Sequence, residues 1–251
     1  MPRSLYQRGT VWNLDVPEIG VFPAESRNNP TTGNRLWVVL SAKGASRTGC
    51  IVVAPLRSRE PTVRTEVRLA PALAEPPMEQ SSTVCLHQMR TLCLTRLKAP
   101  RPVFQFTRIG QFTYQLALEA MFDSATLDAS EQPLFPGSVH RLTPPPDMVE
   151  RETDGCEQGL WVVLFSRQHE DTGTVIAAPI SEVPATIESM AFPFTEPQML
   201  QSKLGQYIRL DRLRALDRAR FKQLHAVVPM MFIGKARRRV ADILVPKRPV
   251  Q

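Results

Sequence analysis

The side chains of this 251-residue chain that could do chemistry gather near its C-terminal end. From Gly205 to Gln251 there are twelve Lys and Arg against three acids, a net +9, so residues 1–204 carry −2 of the formal +7. That clustering is what a phosphate-binding surface requires, and Arg212, Arg214, Arg237, Arg238 and Arg239 are its candidate members. The ordinary account of Arg237 to Arg239 is a solvated helix face. Within the same stretch, Arg209 and Asp211 stand two residues apart on a strand-like run and so share a face. There a guanidinium and a carboxylate can serve a reaction or simply form an ion pair. His87 titrates near neutrality and could act as a base, although a histidine flanked by Leu86 and Gln88 is more often structural. His140, His169 and His225 have no partners recognisable in the sequence. Cys50, Cys85, Cys93 and Cys156 form no CxxC pair and have no His at a zinc-like spacing. They read as four unpaired thiols, with no metal site and no cofactor.

These residues need a folded scaffold, and the composition provides for one. A hydrophobic fraction of 43% and a charged fraction of 22% are ordinary for a globular protein and argue against disorder. No apolar run approaches the ~20 residues that span a bilayer, since Val227 to Ile233 is short and holds Pro229. No membrane role is expected. Met1 to Thr10 lacks the apolar core of a signal peptide, which makes the expected location cytoplasmic.

The chain repeats itself. Leu36-Trp37-Val38-Val39-Leu40 recurs as Leu160-Trp161-Val162-Val163-Leu164, and Thr48-Gly49 with Ala54-Pro55 recurs as Thr172-Gly173 with Ala178-Pro179, both at an offset of 124. The same offset pairs Leu86 with Leu210, Arg90 with Arg214, Arg96 with Arg220 and Ile109-Gly110 with Ile233-Gly234. Upstream, Gly9-Thr10-Val11 corresponds to Gly137-Ser138-Val139 at 128, so only a loop changes length. Two units follow, 8–123 and 136–246, joined by a linker at 124–135. In the first, Val11 to Leu14, Leu36 to Leu40, Cys50 to Ala54, Thr65 to Leu69 and Thr83 to Leu86 predict short antiparallel strands of a small barrel. Ile109, Phe112, Leu116 and Ala120 predict the buried stripe of a helix, repeated as Ile233, Ala236, Val240 and Leu244. Trp37 and its repeat Trp161, like Trp12, sit in apolar strand contexts and read as core rather than as base-stacking platforms.

The ordered pieces Arg8-Gly9-Thr10-Val11-Trp12, Asn34 to Ser41, Thr48-Gly49 to Leu56 and Gln88 to Leu92 resemble the MazF/PemK/Kid toxins of bacterial toxin-antitoxin systems. The second unit is similar more weakly, through Gly159 to Leu164, Thr172 to Ile180 and Arg209 to Arg214. The resemblance implies a mainly β fold with C-terminal helices (β+α), here two SH3-like barrel units making a fused pseudo-dimer, itself monomeric. It also implies metal-independent cleavage of single-stranded RNA, in which the 2′-hydroxyl attacks the adjacent phosphate, and an antitoxin protein as partner. Such a reaction needs a base, an acid and a cation near the phosphate.

Carried over position by position, the family's Arg at the start of the second strand is Arg35, followed by Leu36 where Pro is usual; the second unit has Gly159 there. The family's Thr or Ser after the third strand falls on Arg57, with Ser58 beside it, and on Ser181. The Arg-x-Asp of Kid-type members is Arg209-Leu210-Asp211, opposite Cys85-Leu86-His87 in the first unit. Neither unit holds a complete set. The expected catalytic site is therefore composite, from Arg35, Ser181, Arg209 and Asp211, with Arg57 added to the nucleic-acid-binding residues. The competing expectation is a toxin-fold module that has lost catalysis and binds RNA, DNA or a protein.

Overall fold

The structure, a computed structural model, describes residues 6–14, 35–41, 48–97, 99–123, 134–144, 159–166, 172–185, 190–193 and 206–245. Its first half contains β1 (Thr10–Leu14), β2 (Arg35–Val39), β3 (Cys50–Arg57), β4 (Glu66–Leu69), β5 (Ala74–Glu75), β6 (Ser82–Cys85), β7 (Arg90–Cys93), β8 (Phe104–Phe106) and helix α1 (Arg108–Asp123). The second half contains β9 (Ser138–Arg141), β10 (Leu160–Phe165), β11 (Thr174–Ser181), β12 (Ala191–Pro193), β13 (Tyr207–Arg209), β14 (Arg214–Asp217), β15 (Leu224–Val227) and helix α2 (Met230–Leu244). The protein is mainly β. All five strands expected in the first half are present; β5, β7 and β8 were not anticipated. Most of the linker, Cys156 and His169 lie outside the described residues. Among the described residues no helix is long and apolar enough to cross a membrane.

One antiparallel ladder runs β15-β9-β10-β11-β14-β7-β3-β2-β1-β8-β5, with β4, β6, β12 and β13 branching from it. It does not close on itself among the described residues. Its centre is the join between halves, where Arg90 of β7 faces Arg214 of β14. Two bonds flank that pair: Thr91 N–H to the Leu213 carbonyl and Ala215 N–H to the Met89 carbonyl, each 2.8 Å. At the offset of 124, each bond is the image of the other. This reciprocity is the pattern of an isologous two-fold contact.

Local geometry recurs with the same offsets. Gly9 N–H bonds the Val39 carbonyl at 2.9 Å and Gly137 N–H bonds Val163 at 2.8 Å. The hydroxyls of Thr10 and Ser138 donate to the carbonyls of Gln7 and Phe135, each at 2.7 Å. The Leu-Trp-Val-Val-Leu runs are apolar throughout because both sheet faces are covered. Val38 and Leu40, like Val162 and Leu164, enter one large core shared by the halves. Trp37 and Val39 join Trp12, Ile51, Val53 and Leu92 in a smaller core. Trp161 and Val163 do the same with Val175, Ala177 and Leu216. All three tryptophans are thus core, as expected. Arg8 ties the halves again, donating to the carbonyls of Leu40 at 2.8 Å and Ile243 at 3.0 Å.

The helices correct one expectation. In α2, Ile233, Ala236, Val240 and Leu244 are buried as anticipated. In α1, Ile109, Phe112 and Leu116 are instead exposed, by 69%, 53% and 45%. The inward stripe is Gly110, Tyr114, Leu118 and Met121. Gly110 sets this phase: a Cβ there would stand 2.7 Å from the Leu73 carbonyl oxygen, so only glycine lets the helix seat this closely. Because α1 carries apolar side chains on both faces, periodicity could not choose between them.

Ile109→Ala is expected to change unfolding free energy by no more than about 0.5 kcal/mol, as for exposed positions generally. Its sequence counterpart Ile233→Ala is expected to cost about 2–5 kcal/mol. Urea denaturation of the two variants makes the comparison.

Candidate functional site

A cavity of about 400 Å³ opens in the first half, lined by Arg35, Leu36, Leu56, Arg57, Ser58, Arg59, Gln80 and Ser82. Two strands and the connection that follows them deliver its cations. Arg35 opens β2, Arg57 closes β3, and Arg59 follows in the connection to β4. That connection is held by Arg68 of β4, which donates to the carbonyls of Ser58 at 2.7 Å and Arg59 at 3.1 Å. Burial, and then the Arg57 charge beside it, pull the Arg35 guanidinium down to about 10, so it remains cationic at neutral pH.

Beneath the cations lies Glu66, whose side chain is fully buried. Its Oε1 accepts from Arg59 at 3.0 Å and lies 3.9 Å from Arg57 Nη1. Its Oε2 accepts from the Thr62 N–H at 2.8 Å and the Thr62 hydroxyl at 3.1 Å. Burial alone would raise this carboxyl; the Thr62 N–H and the Arg59 guanidinium outweigh it and hold Glu66 below the usual range. Arg57 is steadied from the other side by Gln88 Oε1 at 2.7 Å. His87, 4% exposed, faces the Thr65 hydroxyl through Nδ1 at 3.1 Å. Burial pushes it down to about 4 despite the pull of Glu66, so it is neutral at pH 7. Burial also pushes the Cys85 thiol up to about 12. The arrangement gathers three guanidiniums over one ionised carboxylate, with Ser58, Ser82 and Gln80 supplying neutral hydrogen-bonding groups. Its net positive charge and forked donors suit a phosphate or another oxyanion.

The second half is built differently at the same positions. Arg209 chelates Asp211 through Nε to Oδ1 and Nη2 to Oδ2, both 2.9 Å, and Arg212 Nε stands 3.3 Å from Oδ2. The Arg209 and Asp211 side chains are only 2% and 1% exposed. Ser181 closes a turn with Val183, accepting from its N–H at 2.9 Å and donating to its carbonyl at 3.1 Å; Arg209 Nη1 also points at that carbonyl, at 3.4 Å. Ser181, Arg209 and Asp211 are therefore brought together. Arg35 is not among them: it belongs to the cavity of the first half, whose lining includes none of the three. Where Arg35 has its counterpart, Gly159 takes φ +60, and a Cβ there would stand 2.6 Å from the Leu142 carbonyl oxygen. The backbone leaves no room for a side chain, which accounts for the missing cation.

Among the described residues, five of the ten cations of the basic C-terminal stretch are buried. Arg212, Arg214 and Arg237 are 4%, 1% and 8% exposed, so they do not form the expected surface. Arg237 lies over the Phe165 ring at 4.6 Å, where burial lowers its pKa. Arg239 is half-buried, donating to the Ala191 carbonyl at 3.3 Å, and Arg238 is exposed. Of the nucleic-acid-binding candidates, Arg57 alone lines the cavity. Arg59 and Glu66 were missed by the sequence reading. Thr62 is a local partner of Glu66, but Cys85 and His87 reach it only through the β3–β6 and β4–β6 pairings. Among the described residues no three His, Cys, Asp or Glu cluster as metal ligands.

Residues 7–112 match the family model described as PemK-like, MazF-like toxin of type II toxin-antitoxin system. Solved structures similar to the chain include MazF from Deinococcus radiodurans, at 22% identity over 45% of this chain and 93% of that one, TM-score 0.36. An endoribonuclease in complex with its cognate antitoxin, from a mycobacterial species, is 18% identical over 45% and 91%, TM-score 0.34. Toxin MazF-mt6 of Mycobacterium tuberculosis is 21% identical over 36% and 87%, TM-score 0.30. No curated protein matches the chain.

Two outcomes are expected of this geometry. The folded value of His87 near 4 lies below its ordinary 6.5, so folding expels its proton. Its stabilisation is complete above pH 6.5 and is lost as pH falls to 4, a change of about 3 kcal/mol. Denaturation curves across that window should flatten in His87→Gln. Arg209→Met leaves the Asp211 carboxylate buried without its chelating partner and should cost about 3–5 kcal/mol; Arg209→Met with Asp211→Leu should cost less.

Proposed function

We propose that this chain, which carries a PemK-like, MazF-like toxin domain over residues 7–112, is a cytoplasmic toxin-type endoribonuclease cleaving single-stranded RNA without a metal ion. The observation that carries the reading is the convergence of Arg35, Arg57 and Arg59 on one cavity. A backbone phosphate seated there would have its non-bridging oxygens held by forked cations as charge grows on them. The ribose 2′-oxygen attacks the phosphorus, its proton leaves to a base, and the 5′-oxygen departs with a proton, leaving a 2′,3′-cyclic phosphate. Ser181, Arg209 and Asp211 make the corresponding region of the second half, where the ion pair is structural.

We further read the chain as a tandem duplication, units 8–123 and 136–246, folding as two SH3-like units into a monomeric single-chain pseudo-dimer. Support comes from the element bounds, which recur at 124 for β3 and β11 and for β7 and β14, and from the reciprocal bonds at the join. The family to which residues 7–112 belong makes an antitoxin protein the natural partner.

One observation favours a second reading, a module that binds RNA without cutting it. The residues lining the cavity include no Asp, Glu or His, and His87 is buried behind them. The two readings part in one experiment, incubation of the purified protein with single-stranded RNA in EDTA. Cleavage with cyclic-phosphate ends, reduced about 10²–10³-fold by Arg35→Ala, is the expected result. Binding without cleavage, its salt slope reduced by about 0.7 in Arg57→Ala, would select the module. Neither cleavage nor salt-dependent binding would end both readings.

A further inference from the structure

Cys50 opens β3, Cys93 closes β7, and the two are direct partners across the ladder. The next pair outward is hydrogen bonded, Leu94 N–H donating to the Gly49 carbonyl at 2.9 Å. Antiparallel ladders alternate, so Cys50 and Cys93 hold a non-hydrogen-bonded position, where Cα atoms stand about 4.5 Å apart and side chains approach most closely. A disulfide accepts Cα separations of about 4.4–6.8 Å. Neither residue is in a disulfide, and a hydrogen bond with Cys93 bears on the Cys50 thiol. The fold does not require thiols here, since the same ladder position in the second half pairs Thr174 with Asp217.

We propose that Cys50 and Cys93 are an oxidation site that closes to a cross-strand disulfide with hydrogen peroxide as the oxidant. In the closed ladder the Cys93 hydrogen bond and burial raise the Cys50 thiol despite Arg212 Nη1, 3.3 Å away; Cys50 is the attacking sulfur once the ladder end opens, because that cation then favours its thiolate. The thiol loses its proton to solvent and attacks one peroxide oxygen. The O–O bond breaks, giving a sulfenic acid and a hydroxide that recovers the proton as water. Cys93 sulfur then displaces hydroxide from the Cys50 sulfur, and that hydroxide leaves with the Cys93 proton as a second water. Two thiols are oxidised and one peroxide is reduced to two waters.

Both thiols are buried, at 2% and 1% exposure, so access depends on opening of the ladder at its end, where strands fray first. A small peroxide suits that route better than a bulky disulfide. Closure would also draw the Cys50 sulfur away from Arg212, which stands 3.3 Å from Asp211, so the redox state of β3 is linked to the ion pair of the other half.

The test uses the folded, full-length protein. After incubation with peroxide and quenching, the chain is unfolded in an alkylating reagent and mapped without reduction. The expected result is loss of the alkylation label at both residues and a Cys50–Cys93 linked peptide that reduction abolishes. In Cys93→Ala, Cys50 should instead be trapped as a sulfenic acid by dimedone. The chain oxidised in urea should show no preference for this pairing. Alkylation of both residues after treatment, a dominant link through Cys85 or Cys156, or an unlinked Cys50 sulfinic acid would each overturn the proposal.

Discussion

The structure turns on a single strand pairing, β7 against β14. Only there do the two halves of the ladder become one sheet, and its two bonds are reciprocal images of one another. The pairing sets Arg90 and Arg214 opposite each other in a non-hydrogen-bonded position, where side chains are closest and like charges repel. Such a contact persists only with compensation. Arg90 spreads part of its charge over the Trp37 ring at 5.4 Å, and the apolar clusters on both sides keep the strands in place.

From this join follows the odd distribution of charge. An excess of cations would ordinarily be a surface property, yet Arg90, Arg209, Arg212 and Arg214 lie within a few residues of the join and are all buried. Asp211 answers two of them, and its bidentate bond to Arg209 organises the 3₁₀ turn between β13 and β14. The same turn in the first half holds His87, neutral and bonded to Thr65. Each half buries a carboxylate among guanidiniums, but at different positions: Glu66 with Arg59 in one, Asp211 with Arg209 in the other. That exchange makes the halves unequal in where their charge lies, although the strand bounds of β3 and β11 and of β7 and β14 recur at the same offset.

The inequality decides where an anion can go. In the first half the compensating acid lies beneath the arginines, leaving their outer sides to a cavity. In the second half the acid and the guanidinium saturate each other, and Gly159 replaces the cation of β2. The cationic cavity described therefore lies in the first half, at Arg35, Arg57 and Arg59.

The strand runs and the core tryptophans could be read from residue order, because they rest on local pattern and on spacing. The phase of α1 could not, since Ile109, Phe112 and Leu116 are as apolar as the side chains that are buried. Nor could the strand Arg90–Cys93, where the charge of Arg90 suggests a solvated run until a second strand covers it. Sequence alone determined that there are cations to spare, and in which stretches. Which of them reach a ligand was decided by tertiary structure, because a guanidinium's availability depends on whether a carboxylate, a ring or a carbonyl has been folded against it first.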